Sequence, residues 1–408
     1  MSVHTPGTGL HDGALHPYDF VCPPRILCGP GRVAEVGAVA AALGGACWLV
    51  AGGRSAEASG GRAAVAAAVA EAGLPLRTVA TSAGEPTVAQ VAAALAALPR
   101  EGRDRAVVIA VGGGSTIDLA KALAALATNA APDEDPERAV LDRLEGVGRG
   151  LAIERPPLPV VAVPTTAGTG AEATRNAVIS CPERRLKKSM RSPLMVPRAA
   201  VVDPRLTCSC DPATTAASGL DAVTQLVESF ICRFRRPLPR ALVLEALPRA
   251  VRALPRVLAD PLDLAARTDL AHAALVSGMA LTNAGLGMAH GVAAALGVEC
   301  GTPHGAACAL MLPVALRVNR AVAEADLALL ERAIDPAATG DDARASVAFI
   351  ARIDALCARA GTPRRLRDVG LARDRIGWLA AHAGGASMRG NPTDLAPAAL
   401  VATLEAVY

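Results

Sequence analysis

The 408-residue sequence predicts an α/β domain with a parallel sheet, followed by an all-α domain. Three observations carry this. Up to Asp203, short wholly apolar runs such as ACWLVA (46–51) and AVVIAV (106–111) alternate with amphipathic or Ala-rich stretches. Such runs suit parallel strands, because helices cover both faces of the sheet and no face is left for polar residues. From Pro212 onward the pattern turns helical, with short Gly/Pro breaks. Two of the apolar runs also lead straight into polar, glycine-containing turns, GGGS (112–115) and PTTAGTG (164–170).

Taken in order, residues 1–19 read as a flexible tail, lacking the basic region and apolar core of a signal peptide. Residues 20–203 form the first domain. Ala46–Ala51 is a strand broken by Gly52-Gly53. Arg62–Ala72 is helical by composition. Leu76–Ala80 is a short strand, and Pro86 opens a helix through Leu98. Strand Ala106–Val111 enters Gly112-Gly113-Gly114-Ser115 and the helix TIDLAKALAALA, with Ser115 and Asp118 spaced as a capping box. Residues 127–157 are charged and irregular, a surface excursion. Leu158–Val163 and Ala199–Val202 are further strands, the latter closed by Asp203-Pro204. Residues 204–408 form the helical domain.

Bulk properties exclude several classes. With 41 basic and 38 acidic residues the net charge is +3, and no basic stripe with interleaved aromatics appears, so no nucleic-acid partner is expected. The ten cysteines form no C-x-x-C pair. Cys208 and Cys210 suit neither a disulfide framework nor a zinc ribbon, so the thiols read as the reduced ones of a cytoplasmic protein. Ala273–Val298 is uncharged and longer than the roughly 18 residues of a membrane candidate. Its five glycines, with Ser277, Asn283 and His290, favour two buried helical pieces instead, and no membrane partner is expected.

The chemistry concentrates in a few places. Glycines after a strand let backbone approach a ligand, and a helix N-terminus suits a pyrophosphate. GGGS is neither G-x-G-x-x-G nor a Walker motif, so alone it could be a simple tight turn. The second turn adds Thr165, Thr166 and Thr169 as hydroxyl donors, with Asn176 beyond. Two such loops would share the carboxyl edge of one sheet, where α/β folds bind ligands. Downstream, Gly285–Pro313 carries His290 and His304 in nearly uncharged surroundings. Asp221 and Gln225 stand at i, i+4 spacing on one helix face.

The segments GGGSTIDLAKA, PTTAGTGAEATRNAVI, PLMVPRAAVVDP, GLDAVTQLVESF and GLGMAHGVAAALG…TPHGAACALMLP, in this order, resemble the iron-containing (group III) alcohol dehydrogenases. PPRILCGPGRV, GEPT and Gly390-Asn391-Pro392 fit as well. The resemblance implies a dinucleotide-binding domain, a helical domain, an active site in the cleft between them and a homodimer. It implies that Gly113, Gly114 and Ser115 hold the pyrophosphate, and that Thr165, Thr166, Thr169, Asn176 and Lys187 (or the adjacent Lys188) line the nucleotide. The substrate would be a small aldehyde, ketone or alcohol.

NAD-preferring relatives often carry an acidic residue after the second strand. Here that place reads Gly52-Gly53-Arg54-Ser55, with no carboxylate to repel a 2′-phosphate and two side chains, Arg54 and Ser55, suited to bind one. NADP(H) is therefore expected over NAD(H). The family's metal set is one aspartate and three histidines. Asp221, His290 and His304 match, as metal-binding and catalytic positions, but Gln225 stands where the first histidine belongs. The Gln225 amide oxygen can still ligate a metal as the fourth member of the set, but as a neutral, harder donor it weakens affinity for Fe²⁺ or Zn²⁺. Ala294 replaces a histidine implicated in proton relay. Three readings stay open: a metal-assisted dehydrogenase, a metal-independent enzyme resembling maleylacetate reductase, and a degenerate nucleotide-binding scaffold. Elsewhere, His272 and His382 read as core histidines and His4, His11 and His16 as tail. Arg233–Arg240 reads as a solvated helix end and loop, and Glu228, seven residues after Asp221 on one helix, either approaches the pocket or has a packing or surface role.

Overall fold

The computed structural model describes residues 17–99 and 102–408. Most of the expected tail, including His4, His11 and His16, lies outside the described residues. The chain divides into two compact units. One comprises residues 21–211 with 261–278, the other 17–20, 212–260 and 279–408 among those described.

In the first unit the elements run β1 (Arg25–Cys28), α1 (Val36–Ala41), β2 (Ala46–Gly52), α2 (Gly53–Ala58), α3 (Gly61–Glu71), β3 (Leu76–Ser82), α4 (Val88–Ala96), β4 (Ala106–Gly112), α5 (Gly114–Asn129), α6 (Pro136–Leu141), β5 (Val160–Pro164), β6 (Asn176–Cys181), β7 (Leu186–Arg191) and β8 (Ala199–Val202). Six strands form a parallel sheet in the order β1-β8-β5-β4-β2-β3. Every residue of β4 and β5 is buried. Alternation along the strands divides these side chains between two cores. Trp48, Val50, Val108, Ala110, Val160 and Ala162 pack with α5 residues such as Leu119 and Leu123. Leu49, Val107, Ile109, Val111, Val161 and Val163 pack with α1 and α3 residues such as Val39 and Val65. The sheet is thus covered on both faces, which is why its central strands contain no polar side chain.

Three expectations need correction here. Ser115 does not cap α5. Gly113 is the residue before the first turn, with extended backbone and no side-chain cap, so Ser115 already lies inside the helix. Asp118 instead accepts a hydrogen bond from the Val178 amide at 3.0 Å and pairs with Lys121 at 2.9 Å. Helix α4 begins at Val88 rather than Pro86, because the Thr87 hydroxyl accepts from the Gln90 amide and fixes the start. The excursion at 127–157 contains α6, started by Asp135 and Pro136. Strand β1 and the antiparallel β6–β7 hairpin were not anticipated.

The second unit holds α7 (Pro212–Ile231), α8 (Pro237–Ala259), the end of α9 (Leu264–Ala284), α10 (Met288–Cys300), α11 (His304–Ile334), α12 (Asp342–Arg359), α13 (Ile376–His382), α14 (Ala386–Arg389) and α15 (Pro397–Glu405). The uncharged stretch at 273–298 is two helical pieces, as expected. Helix α9 stops where Gly285 turns to φ 107°, and α10 restarts at Met288. Helix α11 is long and apolar enough to cross a membrane, but most of its apolar stretch is buried within the fold.

The Arg-rich run is solvent-exposed at Arg233 and Arg235, as expected, but not at its far end. Arg240 is 1% exposed, donates to the Phe230 carbonyl at 2.8 Å and pairs with Asp326 at 2.8 Å. Arg235 grips the same carboxylate at 2.7 Å. His382 is exposed rather than core, stacked on Trp378 at 4.0 Å between ring centres.

Candidate active site

In the first unit, Gly52, Gly112 and Pro164 end three adjacent parallel strands on one edge of the sheet. The chain order reverses between β2 and β4, since β3 lies outside β2 while β5 and β8 extend beyond β4. Such a reversal opens a crevice at the strands' carboxyl ends. The glycines there exist because neighbours leave no room for side chains. A Cβ on Gly112 would meet Thr116 Oγ1 at 2.4 Å, and one on Gly114 would meet Thr169 Oγ1 at 2.4 Å. One on Gly52 would meet Ser55 Oγ at 2.5 Å. The Thr165 amide donates to the Gly112 carbonyl at 2.9 Å, joining the two loops. Gly113, Gly114, Ser115, Thr166 and Thr169 remain partly exposed along this edge, and Arg54 is exposed on the first turn of α2.

The second loop is fixed from behind. Lys121, 1% exposed, donates to the Ala171 carbonyl at 3.0 Å and to Thr174 Oγ1 at 2.8 Å. Burial pushes the neighbouring Glu172 carboxyl up to about 7, against the pull of Lys121. Gly170 and Gly278 meet so closely that a Cβ on Gly170 would lie 2.5 Å from Gly278 Cα. Asn176 opens β6 opposite Arg191, whereas Lys187 pairs across from Ser180 at the hairpin's other end and forms an ion pair with Glu85. The sequence therefore brings most of the expected nucleotide residues to one edge, with Asn176 and Lys187 separated along the hairpin.

In the second unit, three helices converge on one buried cluster. Helix α7 presents Asp221, Gln225 and Glu228. Helix α11 begins at His304, and Gly305 lets that first turn approach α7. A Cβ on Gly305 would lie 2.2 Å from the Ala217 carbonyl oxygen, one turn before Asp221. Helix α10 brings His290. Its first amides find acceptors in side chains: Met288 N on Asn391 Oδ1 at 3.0 Å, Ala289 N on Glu228 Oε1 at 2.7 Å. The positive end of a helix favours a carboxylate there. Glu228 Oε2 also receives His290 Nδ1 at 2.7 Å, which turns Nε2 toward the cluster.

His290 Nε2 lies 3.3 Å from Asp221 Oδ1, and His304 Nε2 lies 3.8 Å from the same oxygen. Asp221 Oδ1 and His290 Nε2 are buried and neither makes a hydrogen bond. Gln225 donates to the other carboxylate oxygen, Oδ2, at 3.1 Å. Burial alone would raise the Asp221 carboxyl, but His304 and His290 hold it below its ordinary value. Burial opposes charge on His290, yet Cys308, Asp221 and Glu228 hold it well above the usual imidazole range. Two buried polar atoms aimed at each other, unsatisfied and backed by a second carboxylate, fit a divalent cation; a buried polar group without a partner otherwise costs about 1–3 kcal/mol.

Two further residues belong to this cluster. Of the two readings of Glu228, the one that brings it to the pocket holds: it is buried and partners His290. Its signal was its place seven residues after Asp221. Cys308, fully buried, brings Sγ to 3.7 Å from His304 Nε2. Its i, i+4 spacing from His304 could have found it. Glu228→Gln removes the charge and replaces one carboxylate oxygen by an amide NH2, so only one of the Ala289 amide and His290 Nδ1–H keeps its acceptor. It is expected to lower divalent-metal affinity by about 10–100-fold, read by competition against a chromogenic chelator. Unchanged affinity would remove Glu228 from the site.

A family model described as iron-containing alcohol dehydrogenase matches residues 23–204, and one described as Fe-containing alcohol dehydrogenase family, C-terminal, matches residues 215–408. The chain is 32% identical over 375 residues to a probable alcohol dehydrogenase EutG of Escherichia coli K12, covering 91% of this chain and 90% of the relative. It is 35% identical over 298 residues to the lactaldehyde reductase of the same organism, covering 72% and 74%. A crystal structure of 1,3-propanediol oxidoreductase superposes with a TM-score of 0.88 at 29% identity, covering 96% of this chain and 100% of that one. Matches of this extent, falling separately on the strand-bearing and helical parts, make the chain a member of the iron-containing alcohol dehydrogenase family.

Proposed function

We propose that this protein interconverts a small aldehyde or ketone and its alcohol by hydride transfer with a nicotinamide dinucleotide. The Asp221–His290–His304 cluster carries the reading, because buried Asp221 Oδ1 and His290 Nε2 face each other at 3.3 Å with no hydrogen bond, and His304 Nε2 lies 3.8 Å from the same oxygen. The relatives' names, for alcohols, lactaldehyde and 1,3-propanediol, support a small hydroxyl or carbonyl substrate.

In the reducing direction, a bound reduced nicotinamide would supply the hydride to a carbonyl carbon, with a proton joining the oxygen. Gly113, Gly114 and Ser115 offer amides and the α5 N-terminus to the pyrophosphate. Thr166 and Thr169 offer hydroxyls beside it. Asp221, His290 and His304 would hold a divalent metal, with Gln225 fixing the Asp221 carboxylate and Glu228 fixing the His290 ring. When bound, the ion supplies a Lewis acid that polarises the substrate oxygen. Ala294 carries no ionisable group and cannot relay a proton; solvent and the cofactor's ribose hydroxyls are the candidate sources.

The same proposal takes NADP(H) as the preferred cofactor. Arg54 stands exposed just past the end of β2, and the nearby Glu57 is engaged by Arg62 at 3.0 Å. Arg54→Ala should weaken NADPH binding at least about tenfold, since one charge-assisted hydrogen bond is worth roughly 1.5 kcal/mol, and leave NADH binding unchanged. Equal losses for both dinucleotides would count against a 2′-phosphate contact.

The test of function is loss of NADPH absorbance with a panel of small aldehydes, before and after chelation and after reloading with Zn²⁺, Fe²⁺ or Mn²⁺. Activity lost on chelation and restored by a metal supports the proposal. Full activity after chelation would favour the metal-independent reductase. Failure to quench NADPH fluorescence would exclude both.

A further inference from the structure

We infer that Cys308, not Gln225, completes the metal centre, giving a one-oxygen, two-nitrogen, one-sulfur donor set. The inference rests on the metal-assisted reading above. Four atoms offered by Asp221, His290, His304 and Cys308 all lie within 4.8 Å of one another. The separations along the set are 3.3 Å from Asp221 Oδ1 to His290 Nε2, 3.8 Å from Asp221 Oδ1 to His304 Nε2, and 3.7 Å from His304 Nε2 to Cys308 Sγ. A tetrahedral ion bound at about 2.0–2.1 Å to nitrogen or oxygen and about 2.3 Å to sulfur has ligand–ligand edges of roughly 3.3–3.6 Å. The cluster is thus close to the size of a tetrahedral site, before any ion draws it in.

Gln225 is differently employed. Its amide nitrogen donates to Asp221 Oδ2 at 3.1 Å, not to Oδ1, the oxygen that lies near the histidines. That contact orients Asp221 and leaves Oδ1 toward the set. Cys308 is fully buried, one helical turn beyond His304, and the two side chains share a helix face. The sulfur therefore takes up, from α11, the coordination that a histidine at position 225 would have given from α7. The chemical consequence is selectivity. A thiolate is a softer donor than imidazole or an amide oxygen, and it shifts preference toward Zn²⁺ over Fe²⁺.

Cobalt(II) alone is the probe. Full-length protein stripped by chelation is titrated with Co²⁺ and its absorption recorded, with folding followed by circular dichroism. The expected result is an intense near-ultraviolet sulfur-to-cobalt charge-transfer band together with visible bands of tetrahedral strength. Cys308→Ser should abolish the charge-transfer band and lower Zn²⁺ affinity by more than the roughly 10–100-fold cost of losing an outer-shell partner. Gln225→Ala should keep the band. Cobalt binding to the unsubstituted protein without a charge-transfer band overturns the sulfur ligand and leaves the metal-assisted reading standing. No cobalt binding by folded protein overturns that reading itself. Because the unsubstituted protein's spectrum decides the matter, the result stands even where Cys308→Ser fails to fold.

Discussion

Asp221→Asn is expected to lower kcat/KM by about 10³ and to remove bound divalent metal, with little change in NADPH affinity. The substitution keeps shape and volume and deletes one charge. Asp221 brings its Oδ1 close to both histidines, at 3.3 and 3.8 Å. It is 1% exposed, so water cannot replace it. Polarisation of a carbonyl by a bound ion is worth several kcal/mol, and a loss of about 4 kcal/mol corresponds to about 10³ in rate. The loss should exceed that of Glu228→Gln, because Glu228 acts through His290 and Asp221 would touch the ion. Metal content by elemental analysis, NADPH affinity by fluorescence quenching and steady-state kinetics read the three quantities separately. A variant with normal metal content and normal kinetics would end the metal-assisted proposal. A variant that instead loses NADPH binding would show that Asp221 supports the fold rather than the chemistry.

What could be read from the sequence follows physical signal strength. Strands β4 and β5 were plain because burial on both faces removes every polar residue, and no helix on the protein's surface looks like that. Strand β1, RILC, was not, because an edge strand has an exposed pattern and only four residues. The β6–β7 hairpin was hidden because LKKSMR offers no apolar alternation. Gly113 took the helix start from Ser115 since the turn's geometry, rather than side-chain capping, sets where α5 begins. In the site, Asp221, His290 and His304 were found through motif order. Glu228 was undervalued because its role appears only when α10 arrives end-on and presents two amides and a ring nitrogen to it. Cys308 was not legible because the family pattern marks the position on α7 where a ligand is missing and carries no sign of a sulfur one turn beyond His304 on α11. Arg240 looked solvated because a run of arginines carries no mark of the single carboxylate, 86 residues further on, that buries one of them.

That carboxylate makes Asp326→Ala the stability change with the largest expected effect, about 3–5 kcal/mol. Asp326 is 3% exposed and receives Arg240 at 2.8 Å and Arg235 at 2.7 Å. Removing it leaves the Arg240 guanidinium buried against the Phe230 ring, 4.0 Å from its centre, with the Phe230 carbonyl as its remaining strong acceptor. Arg235 contributes less, since its side chain is 40% exposed and can turn to water. The cost comes from the stranded charge more than from the lost pair. It follows that Asp326→Ala combined with Arg240→Met should be more stable than Asp326→Ala alone, as a flexible apolar chain fills the same space without needing a partner. The Phe230 carbonyl lies near the end of α7, the helix that carries Asp221, Gln225 and Glu228. Loosening there should lower metal affinity in the single variant and restore part of it in the double variant. Urea unfolding followed by circular dichroism, with metal affinity measured on the same three proteins, gives both readouts. If the single variant unfolds within about 0.5 kcal/mol of the unsubstituted protein, as a surface change would, the buried ion pair is not what holds α7, α8 and α11 together.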